Sequence, residues 1–477
     1  LEIPDTIKSF AFVFLLIGFA TKGGLVPLHI WLPYAHPAAP SNVSAVMSGI
    51  MLKMSVYGVI RFVINILGAD IMWWGVLVLV IGVVSTILGV MYALMEHDIK
   101  RLLAYHSIEN MGIIFIGLGL AMIAGVNGAN TLMALCLTAA LFHTFNHSLF
   151  KSLLFMGAGS IQYATGTRDI EKLGGLIKKM PYTAFLFLIG AMAISAIPLL
   201  NGFASEWMIY QGLFASILAG EGVLRILMII TVSLLAMAGA LAAYCFVKVF
   251  GISFLALPRT QLAENAKEVP NSMIFAMGVL ALLCIVAGII PSAFIWMING
   301  ITGEIIGRSV TFGVFDVYKL AKFMPLGVSS GISPVIMLAI LIIITSVVVI
   351  LIKTLTKGTR VRKCGTWDCG FKQNLTSGME YTATGFSKPL RIVFRWLYKP
   401  ERKLIIDEME GKYNIKSARY VVSTKSVFED YLYKPVINGI LEISGRLRFA
   451  IQMGSIHAYL LYIFAVLIVM LVYFTRT

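Results

Sequence analysis

Residues 18–40 read GFATKGGLVPLHIWLPYAHPAAP, and how they are taken decides the fold. An apolar run holds Lys22, then Gly23 and Gly24, then Pro27, with His29 and His36 just beyond. Hydrocarbon offers no partner to a freed backbone group, and an ionised side chain at mid-bilayer costs about 2.5–3.5 kcal/mol on the mildest scale. The stretch is therefore either no membrane helix at all or one that is broken for a purpose.

The surrounding chain settles which. Of 477 residues, 59% are hydrophobic and 13% charged, with a mean hydropathy of +0.89. A folded soluble domain cannot hide so much apolar surface. Apolar runs of membrane-crossing length recur near 7–28, 41–62, 71–94, 103–124, 130–162, 182–219 (interrupted), 223–256, 271–291, 332–353 and 456–474. The alternation of a β-barrel is missing. The reading is an all-α polytopic membrane protein of about ten spans, two of them discontinuous.

Charge orients it. The net +15 is concentrated beyond residue 353, which argues for orientation in a membrane and not for nucleic acid. Alternating spans place EHDIKR (96–101), TRDIEKLGGLIKKM (167–180), PRTQLAENAKE (258–268) and 354–455 on one face, with most of the Lys and Arg. NILGAD, AGVNGAN, LAGEG and the mixed loop 292–331 fall on the other. The first face is then cytoplasmic, and the chain begins and ends outside. Segment 354–455 reads either as a solvated basic loop or as a platform for a peripheral subunit. Cys136, Cys245 and Cys284 lie in apolar runs as packing residues, while Cys364 and Cys369 are too few ligands for a zinc or iron–sulfur site and are expected as reduced thiols. The chain opens on Leu1 and almost at once on an apolar run, as the distal part of something longer would.

Inside the spans, Lys22, Lys53, Glu206 and Lys248 each interrupt apolar sequence, and LFHTFNHSLFKSLLFMGAG (141–159) sets His143, His147 and Lys151 on one helical face. Bland explanations exist: Lys248 can snorkel to the cytoplasmic edge, a lone histidine can be a satisfied core residue, and two charges can pair for structure. Three titratable groups in one stripe weaken the second, and Lys22, Lys53 and Glu206 lie far from the span ends.

The helix breakers fit this pattern. Gly23, Gly24 and Pro27 free backbone beside Lys22, and Pro198 and Gly202 do so beside Glu206. Discontinuous helices at matching positions of two repeats point to a transport site. The broken spans are the first and the sixth, each followed by a span with a lysine, Lys53 or Lys248. Residues 1–62 then close an earlier repeat, 71–257 form a second five-helix repeat, 271–353 add further spans, 354–455 form the docking segment and 456–474 the last span. Buried carboxylate, lysines and histidines linked by water can pass protons.

With those residues in place, KGGLVPLHIWLPYAHPAAPSNVSAVMSG, DIKRLLAYHSIENMGIIFIGLG, HSLFKSLLFMGAGSI and LLNGFASEW resemble the antiporter-like, proton-translocating membrane subunits of respiratory complex I, Mrp antiporters and energy-converting hydrogenases. TGTRDIEKLGGLIKKMP, PRTQLAENAKE, TWDCG and MEYTATGFSKPLRIVF are similar to the large membrane subunit of hydrogenase-4 and formate hydrogenlyase, component B type. The resemblance implies that Lys22 is the lysine of the first discontinuous helix and Lys53 that of the next. His143, His147 and Lys151 become central-axis residues, Glu206 the glutamate of the second break, and Lys248 a weaker match. It also implies about six helices and an essential glutamate ahead of residue 1, in this or another chain.

The function so implied is a proton-translocating subunit of a membrane-bound [NiFe]-hydrogenase or formate hydrogenlyase-like complex in a prokaryotic cytoplasmic membrane. The chain would carry no cofactor. The [NiFe] centre and iron–sulfur clusters would belong to peripheral cytoplasmic subunits, with other membrane subunits and lipid as further partners. Protons would enter from the cytoplasm, load Lys53 or Lys151 and leave through Glu206. Rivals are an Mrp-type cation/proton antiporter subunit, a non-conducting scaffold, and a complex I (NADH dehydrogenase) subunit. The last would carry a long lateral amphipathic helix where 428–452 makes a short one.

Overall fold

The computed structural model describes residues 4–255, 257–306, 334–359, 376–410, 414–423, 427–452 and 454–476. It comprises two compact units, Leu1–Pro389 and Leu390–Thr477. The first holds α1 (Asp5–Gly23), α2 (Leu32–Ala38), α3 (Ser41–Ile66), α4 (Met72–Met95), α5 (Ile99–Val126), α6 (Asn130–Thr165), α7 (Pro181–Ile194), α8 (Asn201–Ala219), α9 (Gly222–Leu255), α10 (Asn271–Ile289), α11 (Pro291–Ile306) and α12 (Pro334–Leu355). Among the described residues nine helices of the chain are long and apolar enough to cross a membrane, and α7 with α8 make the interrupted tenth path. The protein is a multi-pass α-helical membrane protein.

Its centre is the α4–α5 pair. Gly75, Gly82 and Gly89 recur every seventh residue on α4, as Gly112 and Gly119 do on α5. A β-carbon on Gly82 would lie 2.8 Å from the Gly112 carbonyl oxygen, and one on Gly89 2.6 Å from the Glu109 amide nitrogen. In lipid, where no hydrophobic force separates helices from solvent, such close backbone approach is what holds them together. It leaves α5 buried from Ile99 to Ala124 apart from a half-exposed Arg101, with His106, Glu109 and Asn110 inside.

The breaks are real and their freed groups are met by protein. α1 stops at Gly23, short of residue 28, because Gly24 turns left-handed (φ +70°). Between α7 and α8, Ala196 and Leu199 hold φ of 50° and 76°, a strained conformation for non-glycine residues. Gly202 admits no side chain, since a β-carbon would sit 1.9 Å from the Ala193 carbonyl oxygen. Asn146 of α6 donates to the Asn201 carbonyl at 2.8 Å, and Asn201 returns a bond to the Asn146 carbonyl at 3.4 Å.

A third break corrects the reading of 292–331 as loop from its first residue. Ser160, Phe145 and Thr138 of α6 meet Met277, Phe294 and Thr302 in turn, so α10 and α11 form one kinked path antiparallel to α6. Pro291 lacks an amide proton, which ends α10 and suits the first position of α11.

At the end where EHDIKR and TRDIEKLGG lie, the chain is clamped. Glu171 accepts from the Ala383 amide (3.1 Å) and from the Thr384 amide and hydroxyl (both 2.7 Å), at the start of α13 (Ala383–Val393). Arg259 donates to the Tyr381 carbonyl at 2.7 Å, Tyr244 to the Phe386 carbonyl at 2.6 Å, and Ser387 to the Leu94 carbonyl at 2.7 Å. Three stretches that the sequence singles out separately, 167–180, 258–268 and MEYTATGF, thus form one structure.

In the second unit, β1 (Glu401–Glu410) and β2 (Asn414–Ser423) pair antiparallel with Glu401 opposite Ser423, followed by α14 (Lys434–Ile451) and α15 (Ile456–Arg476). This ribbon is the one addition to the all-α reading among the described residues. Cys364 and Cys369 lie outside them; Cys136, Cys245 and Cys284 are buried free thiols.

Candidate functional site

The polar row starts on α3, which is no regular helix. Turns with π geometry at Met47–Met51 and Val59–Ile66 flank the ordinary α turn that carries Lys53. Each such turn takes up an extra residue and rotates the rest of the helix beyond it, a device common at functional sites. Half-buried, the Lys53 ammonium donates to the Ser48 carbonyl and stands 2.9 Å from His147 Nδ1. A protonated amine only donates, so with Lys53 charged His147 accepts there and carries its proton on Nε2. That Nε2 is buried and has no protein partner among the described residues.

One turn earlier on α6, His143 lies with its ring nearly parallel to that of His147, centroids 6.5 Å apart. Its Nε2 is 3.2 Å from Asn110 Oδ1 and its Nδ1 3.0 Å from Ser205 Oγ. Asn110 is oriented by donating its amide to the His106 carbonyl at 2.8 Å, so His143 Nε2 must donate to Oδ1. Ser205 directly precedes Glu206 on α8. Glu206 is 7% exposed and makes no hydrogen bond or ion pair among the described residues. Lys53, His147, His143, Ser205 and Glu206 therefore form one row across α3, α6 and α8.

The other expected residues stand off this row. Lys151, fully buried, donates to the Leu103 carbonyl at 2.5 Å and lies 5.7 Å above the Phe155 ring. Lys248 is also fully buried and donates to the carbonyls of Leu94 (2.7 Å) and Glu96 (3.1 Å), where α4 ends and cations are favoured. Lys22 is exposed in the last turn of α1. Of the breakers, Gly23 packs on Ser55, Gly24 and Pro27 turn the chain after α1, and Pro198 and Gly202 bound the α7–α8 break.

Two residues of the site escape the sequence reading. His106 Nδ1 and Glu109 Oε2 bond directly inside α5, both side chains buried. Glu109 lies near enough to Lys151 and Glu206 to feel their charges. The signal was available, since a carboxylate in an apolar run carries the same cost at 109 as at 206. Buried polar atoms without protein partners cluster here: His106 Nε2, His147 Nε2, Asn146 Oδ1 and Asn201 Oδ1. No group of His, Cys, Asp and Glu suited to a metal occurs among the described residues.

Comparison with known proteins places the chain among membrane subunits of one family. The family model described as NADH:quinone oxidoreductase/Mrp antiporter, TM, matches residues 5–236. Hydrogenase-4 component B of Escherichia coli (strain K12) is 36% identical over 487 residues, covering 99% of this chain and 70% of its own length. Formate hydrogenlyase subunit 3 of the same organism is 39% identical over 387 residues, 80% of this chain and 59% of its own. In fold, the chain is similar to one from the membrane-bound sulfane sulfur reductase, an archaeal respiratory membrane complex. The TM-score is 0.75 at 23% identity, with 98% of this chain and 69% of that one covered.

Proposed function

The chain belongs to the family of antiporter-like membrane subunits that includes hydrogenase-4 component B, and on that premise we propose that it translocates protons within a membrane-bound hydrogenase or formate hydrogenlyase-like complex. The observation that carries the reading is the row made by the Lys53–His147 and His143–Ser205 contacts, the two histidine rings 6.5 Å apart, with Glu206 next in the chain and its carboxylate neutralised by no neighbour among the described residues. Structural charges are paired or capped, as Lys248 is; Glu206 is left able to gain and lose a proton. The buried unpartnered atoms of His106, His147, Asn146 and Asn201 are places where bridging water would be held. Protons load on Lys53 and Lys151 from the cytoplasmic side, pass along α6 and leave at Glu206 through the α7–α8 break. In a prokaryotic cytoplasmic membrane, peripheral subunits on the cytoplasmic side would hold the [NiFe] centre and iron–sulfur clusters, and charge changes in a neighbouring subunit would drive the row through Lys22.

Glu206→Gln keeps the shape and removes the titration. In the intact complex it should leave assembly and redox turnover in place and abolish proton translocation. Normal translocation would refute the assignment. Recovery of the tagged chain with a nickel–iron subunit separates this reading from the Mrp-type one, which brings no redox protein and depends on sodium or potassium.

A further inference from the structure

His36 has no part in the row, yet its two ring nitrogens set it apart from a packing residue. It is fully buried in α2, its ring stacks on Phe155 with centroids 4.5 Å apart and planes 17° from parallel, and neither ring nitrogen has a partner among the described residues. Buried polar side chains are normally hydrogen-bonded, and one with both nitrogens open departs from that rule twice over. The backbone around it is held firmly: Ser44 donates to the His36 carbonyl at 3.0 Å, Arg168 to that of Pro37, and Lys100 to that of Ala39 at 3.0 Å. Arg168 and Lys100 belong to the basic stretches 167–180 and 96–101, which the charge bias assigns to the cytoplasmic face. Phe155 also lies 5.7 Å from the Lys151 ammonium, and Lys151, Lys100 and Lys53 are the charges that His36 feels.

We propose that His36 is the relay through which protons reach Lys151 from the cytoplasmic side, an inference that rests on the translocation reading above. The neutral ring takes a proton from water at its open nitrogen, a half-turn about Cβ–Cγ carries that nitrogen round, and it releases the same proton to water on the Lys151 side. The return half-turn leaves the ring neutral and in its first tautomer. That half-turn returns the ring to its own plane, so the stack on Phe155 survives it, and no net charge stays in the site.

The test uses the intact complex in sealed membrane vesicles, reading protons moved per electron pair. His36→Phe keeps a flat ring on Phe155, and His36→Gln keeps polarity; neither titrates. Both should assemble with redox turnover near wild type and lose translocation by about a hundredfold, the lower end of what a proton-transfer group contributes. Adding imidazole to His36→Ala should restore part of the loss. Wild-type translocation in His36→Phe and His36→Gln would overturn the relay. Should Glu206→Gln abolish translocation while both His36 variants retain it, the relay alone fails; should Glu206→Gln also translocate, the underlying reading fails with it.

Discussion

Lys53 and His147 bring an amine within 2.9 Å of an imidazole nitrogen across 94 residues of chain, and the contact depends on how α3 is wound. With a π turn on each side of it, Lys53 is rotated onto α6 where its ammonium shares the Ser48 carbonyl and His147. Lys53→Met preserves length and apolar stem and deletes the donor. Translocation should fall by at least about two orders of magnitude, where the range for one proton-transfer group begins, while assembly is kept. A variant pumping at more than half the wild-type ratio would remove Lys53 from the row.

The His106–Glu109 pair separates charge from structure. Glu109→Ala leaves a buried imidazole without its hydrogen-bond partner and should cost about 1–3 kcal/mol, seen as a fall in melting temperature of the purified complex. Glu109→Gln retains a hydrogen-bond partner for His106 and should melt near wild type. If Glu109→Gln also loses translocation, the pair is part of the row; if only Glu109→Ala is impaired, the pair is structural.

How far the sequence discloses all this varies with the kind of contact. Spans, breaks and the His143–His147–Lys151 stripe are local patterns, so periodicity and the cost of intramembrane charge expose them. α11 escapes because Asn299, Gly300 and Glu304 dilute its apolar character, although Pro291 marks its start. Asn146 and Asn201 join α6 to the break in a way neither neighbourhood discloses. The Glu171–Thr384 clamp links positions 213 residues apart, and only the folded backbone brings them together.

That clamp is pH-dependent in a known direction. Burial alone would raise the Glu171 carboxyl, but the Thr384 hydroxyl, the Thr384 and Ala383 amides and the nearby His97 together hold it below its ordinary 4.5. A carboxylate whose folded pKa is depressed stabilises above its unfolded value and ceases to do so as pH falls through the folded one. Amide exchange at Ala383 and Thr384 should therefore be protected at neutral pH and accelerate, relative to its intrinsic rate, as the solution is taken below 4.5. Glu171→Gln should abolish that pH dependence. Protection that is flat from neutral pH down to acid in the wild type would show that Glu171 does not hold the segment.

The glycine seam between α4 and α5 carries the last prediction. A β-carbon on Gly112 would lie 2.5 Å from the Gly82 carbonyl oxygen, backbone that cannot give way, so Gly112→Val must push α5 off α4. Overpacking typically costs about 1–3 kcal/mol, and here it also displaces Asn110, two residues earlier, from His143. Gly112→Val should thus lower both the melting temperature and translocation. Gly239, on α9, supplies the contrast, since a β-carbon added there would meet nothing within 4 Å. Gly239→Ala should be neutral or stabilising by up to about 1 kcal/mol, since alanine is the better helix former. Equal effects at the two sites would mean that close backbone approach is not what holds α5, and with it Asn110, in register with the histidines of α6.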